Sequence, residues 1–174
     1  MKINKKGFTL MELLIVVIMI SGLVAVAYPS YVSSIERARA SEAVNMLGAI
    51  KAAQEKNFIM YDNYAETFRE IRDFSPAISS DPDDENHFNL NSNSFKTEYF
   101  EYTMRNDGTS EDDKFYAEAI RITPQGNNAG KGYSFTASYR NDFISCNSTT
   151  TEGEKICSSL TDQPKQDDGS YRIF

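Results

Sequence analysis

Lys5-Lys6-Gly7-Phe8-Thr9-Leu10-Met11-Glu12-Leu13-Leu14 opens an apolar run that continues to Tyr28, and its reading decides the rest of the chain. From Phe8 to Tyr28 there are 21 residues with a single charge, Glu12. As a helix that is about 30 Å, enough to cross the hydrocarbon core of a bilayer. Two details separate it from a plain anchor. A carboxylate lies inside the run, where an unpaired charge costs about 3 kcal/mol or more. The basic lead-in also ends in Gly7-Phe8, with the apolar stretch starting at once.

The lysines ahead of the run favour a cytoplasmic N-terminus, with everything beyond Tyr28 on the far side of the membrane. Three readings of the run compete. It is a signal anchor; or a secretory signal cut after Ala25-Val26-Ala27, which would make Tyr28 the new N-terminus; or a helix kept whole after cleavage between Gly7 and Phe8. Pro29, just past the second site, and the unbroken helical pattern beyond it argue against the second reading.

Composition bounds the remainder. The 174 residues carry 25 acidic and 18 basic side chains, and three of the basic ones, Lys2, Lys5 and Lys6, precede Phe8. The body is therefore acidic, which argues against direct nucleic-acid binding and against a basic membrane-surface module. Cys146 and Cys157 lie close together on the exported side, where a disulfide is favoured over two free thiols. Two thiols and the lone His87 make a poor zinc site. Walker A, dinucleotide-glycine, HExxH and G-x-S-x-G patterns are absent, which argues against an enzyme and against a cofactor.

Lys6-Gly7-Phe8-Thr9-Leu10-Met11-Glu12-Leu13-Leu14-Ile15-Val16-Val17 resembles the N-terminus of type IV prepilins and of the related pseudopilins of type II secretion. Arg37-Ala38-Arg39-Ala40-Ser41-Glu42-Ala43 through Ala52-Ala53-Gln54-Glu55 is similar to the second half of a pilin's long helix. The resemblance implies a leader, residues 1–7, removed by a prepilin peptidase between Gly7 and Phe8, with N-methylation of Phe8. It implies that Glu12 pairs with the amine of a neighbouring subunit and sets assembly register. A charged pair is tolerable in lipid where each charge alone is not. Pro29 stands where the family commonly carries a helix-kinking proline. The family's usual glycine is displaced here: Ser21 stands in its place and Gly22 follows. Gly22 and Pro29 are thus the expected kink positions. The implied partners are other pilin subunits in a homopolymeric filament, the peptidase, the membrane before assembly, and inner-membrane machinery driven by a separate ATPase. The implied location is the bacterial inner membrane for the precursor, then a periplasmic or extracellular filament. A type II secretion pseudopilin is the alternative within the family. A soluble binding domain released after Ala27 is the alternative outside it.

Residues 30–60 read as a continuing helix with a stripe of Val32, Ile35, Ala40, Val44, Leu47, Ile50, Ala53 and Phe58, and with Glu36 and other charges largely elsewhere. Residues 61–96 read as a long connection broken at Ser75-Pro76 and Asp81-Pro82. Its cluster Asp81, Asp83, Asp84 and Glu85 reads as a solvated loop rather than a calcium site. Strands are expected at about 97–105, 114–123 and 132–140, forming an antiparallel meander, with turns at Asn106-Asp107-Gly108 and at 125–132. In the third strand Tyr133, Phe135, Ala137 and Tyr139 alternate with polar residues. Residues 141–174 read as a polar tail stapled by its cysteines, in which Asn147-Ser148-Thr149 and Asp167-Asp168-Gly169 are turns. The expected fold is α+β: a long N-terminal helix, transmembrane in its first half, on a small antiparallel sheet with a disulfide-closed C-terminal loop. The expected organisation is a leader, 1–7; the helix, 8–60, with an assembly segment 8–28 and an amphipathic segment 29–60; and a head, 61–174.

Overall fold

The computed structural model describes residues 8–71, 74, 92–105, 115–122, 132–139 and 142–173. The leader with Gly7, the acidic cluster 81–85, His87, both X-Pro breaks and the turns at 106–108 and 125–131 lie outside the described residues. The chain divides into two compact units between Glu36 and Arg37.

Helix α1 (Leu10–Tyr61) is 52 residues long and continuous through Pro29. Up to Ala27 its residues are almost all Leu, Ile, Val, Met and Ala, and all of them are exposed. A helix satisfies its own backbone polar groups, as a membrane span must. Among the described residues α1 is the one helix long and apolar enough to cross a membrane.

In the second unit α1 buries Ala40, Ala43, Leu47, Ile50, Gln54 and Asn57. Those steps of three and four residues draw one face of a helix. The expected stripe is corrected in part. Val44, Ala53 and Phe58 only border the core, Val32 is exposed, and two amides take the buried positions instead. Glu36, expected on the charged side, is buried as well.

Six described strands, β1 (Ser94–Lys96), β2 (Phe100–Arg105), β3 (Tyr116–Arg121), β4 (Tyr133–Ser138), β5 (Ile144–Ser148) and β6 (Tyr171–Ile173), form one sheet in sequence order. Every neighbouring pair is antiparallel. On the inner face Tyr102 sits opposite Ala119, Ala119 opposite Phe135, and Phe135 opposite Cys146. Large side chains on β2 and β4 thus flank small ones on β3. On β3 Ala117 and Ala119 face the core, while Tyr116 and Ile120 take the other face. The inner rings form an edge-sharing cluster, with Phe95 stacked on Tyr102 at 4.8 Å and Phe100 tilted on Phe135 at 6.2 Å.

The strand expected at 97–105 begins only at Phe100, and β1 lies in the stretch read as a connection. Thr97 N–H donates to the Phe100 carbonyl and Phe100 N–H to the Thr97 hydroxyl, which turns the chain between β1 and β2. The connection after α1 also contributes core: Tyr64, Ala65, Phe68 and Ile71 are buried. The polar tail holds β5, a second helix α2 (Thr151–Ser159) and β6.

Candidate functional site

The first unit presents a site made of surface rather than of a cleft. Phe8 is 81 % exposed, and Leu10, Met11, Leu13 and Leu14 follow with most of their side chains uncovered. The apolar exposure runs on to Val26 around the whole helix. Soluble monomers rarely leave contiguous apolar patches beyond a few hundred Å² (about 300–600 Å² at most). This surface is therefore built to be covered by lipid or by other chains.

At the head of α1 the lone carboxylate is not bare. Glu12 Oε2 accepts from the Thr9 backbone N–H (3.0 Å) and from the Thr9 hydroxyl (2.9 Å). In return Thr9 Oγ1 accepts from the Glu12 N–H at 3.2 Å. The Leu13 N–H bonds the Thr9 carbonyl, so Thr9 is the N-cap and Glu12 the third helical residue. This is a capping box, which satisfies two N–H groups that a helix start otherwise orphans. The carboxylate also lies at the positive end of the helix dipole. Thr9 is absent from the expected site residues. The signal for it is Thr-x-x-Glu directly before an apolar run.

The remaining expected site residues fall as follows. Phe8 is described and non-helical, and Gly7 is not described. Gly22 faces open space, with nothing beyond its chain neighbours and its own helix backbone within 4 Å of where a Cβ would stand. Ser21 Oγ donates to the Val17 carbonyl at 2.7 Å, a back-bond that competes with the helix's own pattern. Pro29 has no N–H to offer the Ala25 carbonyl, yet the helix passes through it.

Cys146 on β5 and Cys157 on α2 form the disulfide, both fully buried, with Cα atoms 5.6 Å apart. Thr150 caps α2, its hydroxyl accepting from the Gly153 N–H at 3.1 Å. Lys165 Nζ donates to Glu154 Oε1 at 2.7 Å, and the Tyr171 hydroxyl reaches the same oxygen at 3.4 Å. The hydrogen bond from Lys165, then its charge, holds the Glu154 carboxyl below the usual carboxylate range. The Ser170 N–H and hydroxyl do the same for Asp168. Among the described residues no group of His, Cys, Asp or Glu is placed to hold a metal ion.

The chain is 41 % identical over 68 residues to the type IV major pilin protein PilA of Myxococcus xanthus (strain DK1622), covering 39 % of this chain and 31 % of that protein. It is 47 % identical over 49 residues to the fimbrial protein EcpC of Eikenella corrodens, 28 % and 32 % of the two chains. It is 34 % identical over 80 residues to the type IV major pilin protein PilE1 of Neisseria gonorrhoeae, 46 % of each. Over these stretches the chain is similar to type IV pilins. No family model and no solved structure matches it. The pilin-like chain spans less than half the length of these relatives. Its long apolar helix, antiparallel sheet and C-terminal disulfide are those of the expected fold.

Proposed function

We propose that this pilin-like chain is the structural subunit of a type IV pilus-like filament. The observation that carries the reading is the exposed apolar helix with one capped carboxylate at its start. A membrane alone would explain the apolar surface but not an acid placed four residues into it. An assembly that brings a cation to that acid explains both.

In this reading the precursor sits in the bacterial inner membrane with its N-terminus in the cytoplasm. A prepilin peptidase cuts between Gly7 and Phe8, and the new amine of Phe8 is methylated. The amine of one subunit then meets Glu12 of the next, which fixes the axial step as the helix moves from lipid into the filament core. Gly22 and Pro29 mark where α1 yields to that packing, since neither supports a helix interior well. Head-to-tail contacts between identical subunits that do not close into a ring give an open fibre. Inner-membrane machinery with a separate ATPase supplies the work, and the subunit is not itself an enzyme.

The mass of the mature N-terminus tests the first step. A chain starting at methylated Phe8 is expected, and one starting at Tyr28 would sink the reading in favour of a released soluble domain. Glu12→Ala is expected to be processed normally and to be lost from sheared filaments by at least ten-fold. Normal incorporation of that variant would remove the role assigned to the carboxylate. The disulfide-closed tail favours a pilus over a type II secretion pseudopilus, whose major subunits commonly use calcium there. Filaments that persist in a strain lacking the secretion machinery would separate the two.

A further inference from the structure

Arg37 and Arg39 stand two positions apart on α1, so their side chains leave the helix on opposite sides. Each goes to a different part of the head. Arg37 Nε donates to the Ser159 hydroxyl at 3.2 Å, at the C-terminal end of α2. The Cys146–Cys157 bond ties α2 covalently to β5. Arg39 lies over the ring of Tyr99, its guanidinium carbon 3.8 Å from the ring centre. Tyr99 is in the turn between β1 and β2. Its carbonyl accepts from Arg121 Nη1 at 3.0 Å and from the Ile122 N–H at 2.9 Å, which fastens that turn to the end of β3. In strand order β1 and β2 begin the sheet and β5 lies near its other side. Ala40 and Ala43, fully buried, follow directly on the helix.

We propose that Arg37 and Arg39 are paired straps that pass tension in α1 to both sides of the sheet at once. The inference rests on the filament reading, because only a subunit held through its helix has α1 under pull. Two weak contacts stressed one after the other fail singly, as a zip does. Two that are stressed together share the force, and neither edge of the sheet can be peeled first. Each strap ends on something that does not unravel. The disulfide stops α2 from unwinding into β5, and Arg121 holds the Tyr99 turn from the sheet side.

The test is single-molecule pulling of full-length protein in a lipid nanodisc. One pair of handles sits at Ser34 and Glu118, so that force enters through α1. A second pair sits at Glu118 and Arg172, so that it does not. With force through α1, Arg37→Ala and Arg39→Ala are each expected to raise the detachment rate at fixed load roughly three- to five-fold, the scale of one exposed hydrogen bond or cation–π contact. Neither is expected to change the rate with the second pair. Arg39→Gln keeps a polar side chain and stands in if the alanine variant does not fold. Equal acceleration along both directions would mean general loss of stability and would overturn the proposal, as would no change along either. The measurement is made on single subunits. A failure of N-terminal processing or of assembly therefore bears on the filament reading and leaves this result intact.

Discussion

Gln54 shows how much one polar residue can organise. It is fully buried on α1, in a stretch of Lys and Glu where an amide signals solvent. Its Nε2 donates to the Ala65 carbonyl and its Oε1 accepts from the Ala65 N–H, both at 2.9 Å, so the side chain imitates a strand partner for the returning backbone. Nε2 also reaches Met104 Sδ at 2.7 Å. Three residues on, Asn57 holds the Asn63 carbonyl in the same manner. Between them they fix the reversal at Asp62, whose φ is +55°. Gln54→Leu keeps the volume and strands both Ala65 groups. It is expected to cost about 2–4 kcal/mol, read as a lower urea midpoint with unchanged slope. Gly132→Ala should cost about 1–3 kcal/mol by the same measurement. The glycine has φ +68°, and a Cβ there would stand 2.4 Å from Thr150 Cγ2. Neither residue was legible beforehand, because Ala65 and Thr150 come from other parts of the chain.

Among the elements, those with a long or regular period could be read and the short ones could not. The apolar run announced the first half of α1 by length alone. Tyr133, Phe135, Ala137 and Tyr139 announced β4 by strict alternation; the structure buries the first three and leaves Tyr139, just past the strand, exposed. The Cys pair pointed to a disulfide. By contrast β5 is five residues with two inward positions, Ile144 and Cys146, and β6 is three. The nine residues of α2 include Gly153 and few apolar side chains. Such a helix is too short to be stable alone. It persists because Thr150 caps it and Cys157 bonds it to the sheet. The capping box at Thr9 is legible in the sequence as Thr-x-x-Glu directly before the apolar run. If α2 depends on its bond to β5, replacing Cys146 and Cys157 together with Ser should cost about 3 kcal/mol, the scale for a loop this short. The loss should appear first as faster hydrogen exchange in residues 151–159, with β2 to β4 following only near global unfolding.

At the scale of the whole molecule, the described carboxylates of the head whose titration is shifted both lie in the tail. Glu154 and Asp168 have folded-state pKa values depressed below their unfolded ones. What they add to stability is therefore full above the unfolded values, about 4, and is lost as pH falls through the lower folded ones. Hydrogen exchange in residues 161–170, corrected for intrinsic rates, should rise between pH 5 and pH 2.5, with Glu154→Gln flattening the response. At the other extreme burial raises the Tyr102 phenol well above its ordinary range. Its contribution is complete below about pH 10 and drains as pH climbs toward the folded value, so its ionisation should coincide with unfolding of the sheet. The order β1 to β6 has a kinetic meaning too. Each described strand pairs with the one just before it, and none has to slip between two already joined. Contacts between sequence neighbours close at small entropic cost and form fast. A head of this kind can zip up strand by strand, with the Cys146–Cys157 bond then sealing α2 onto β5.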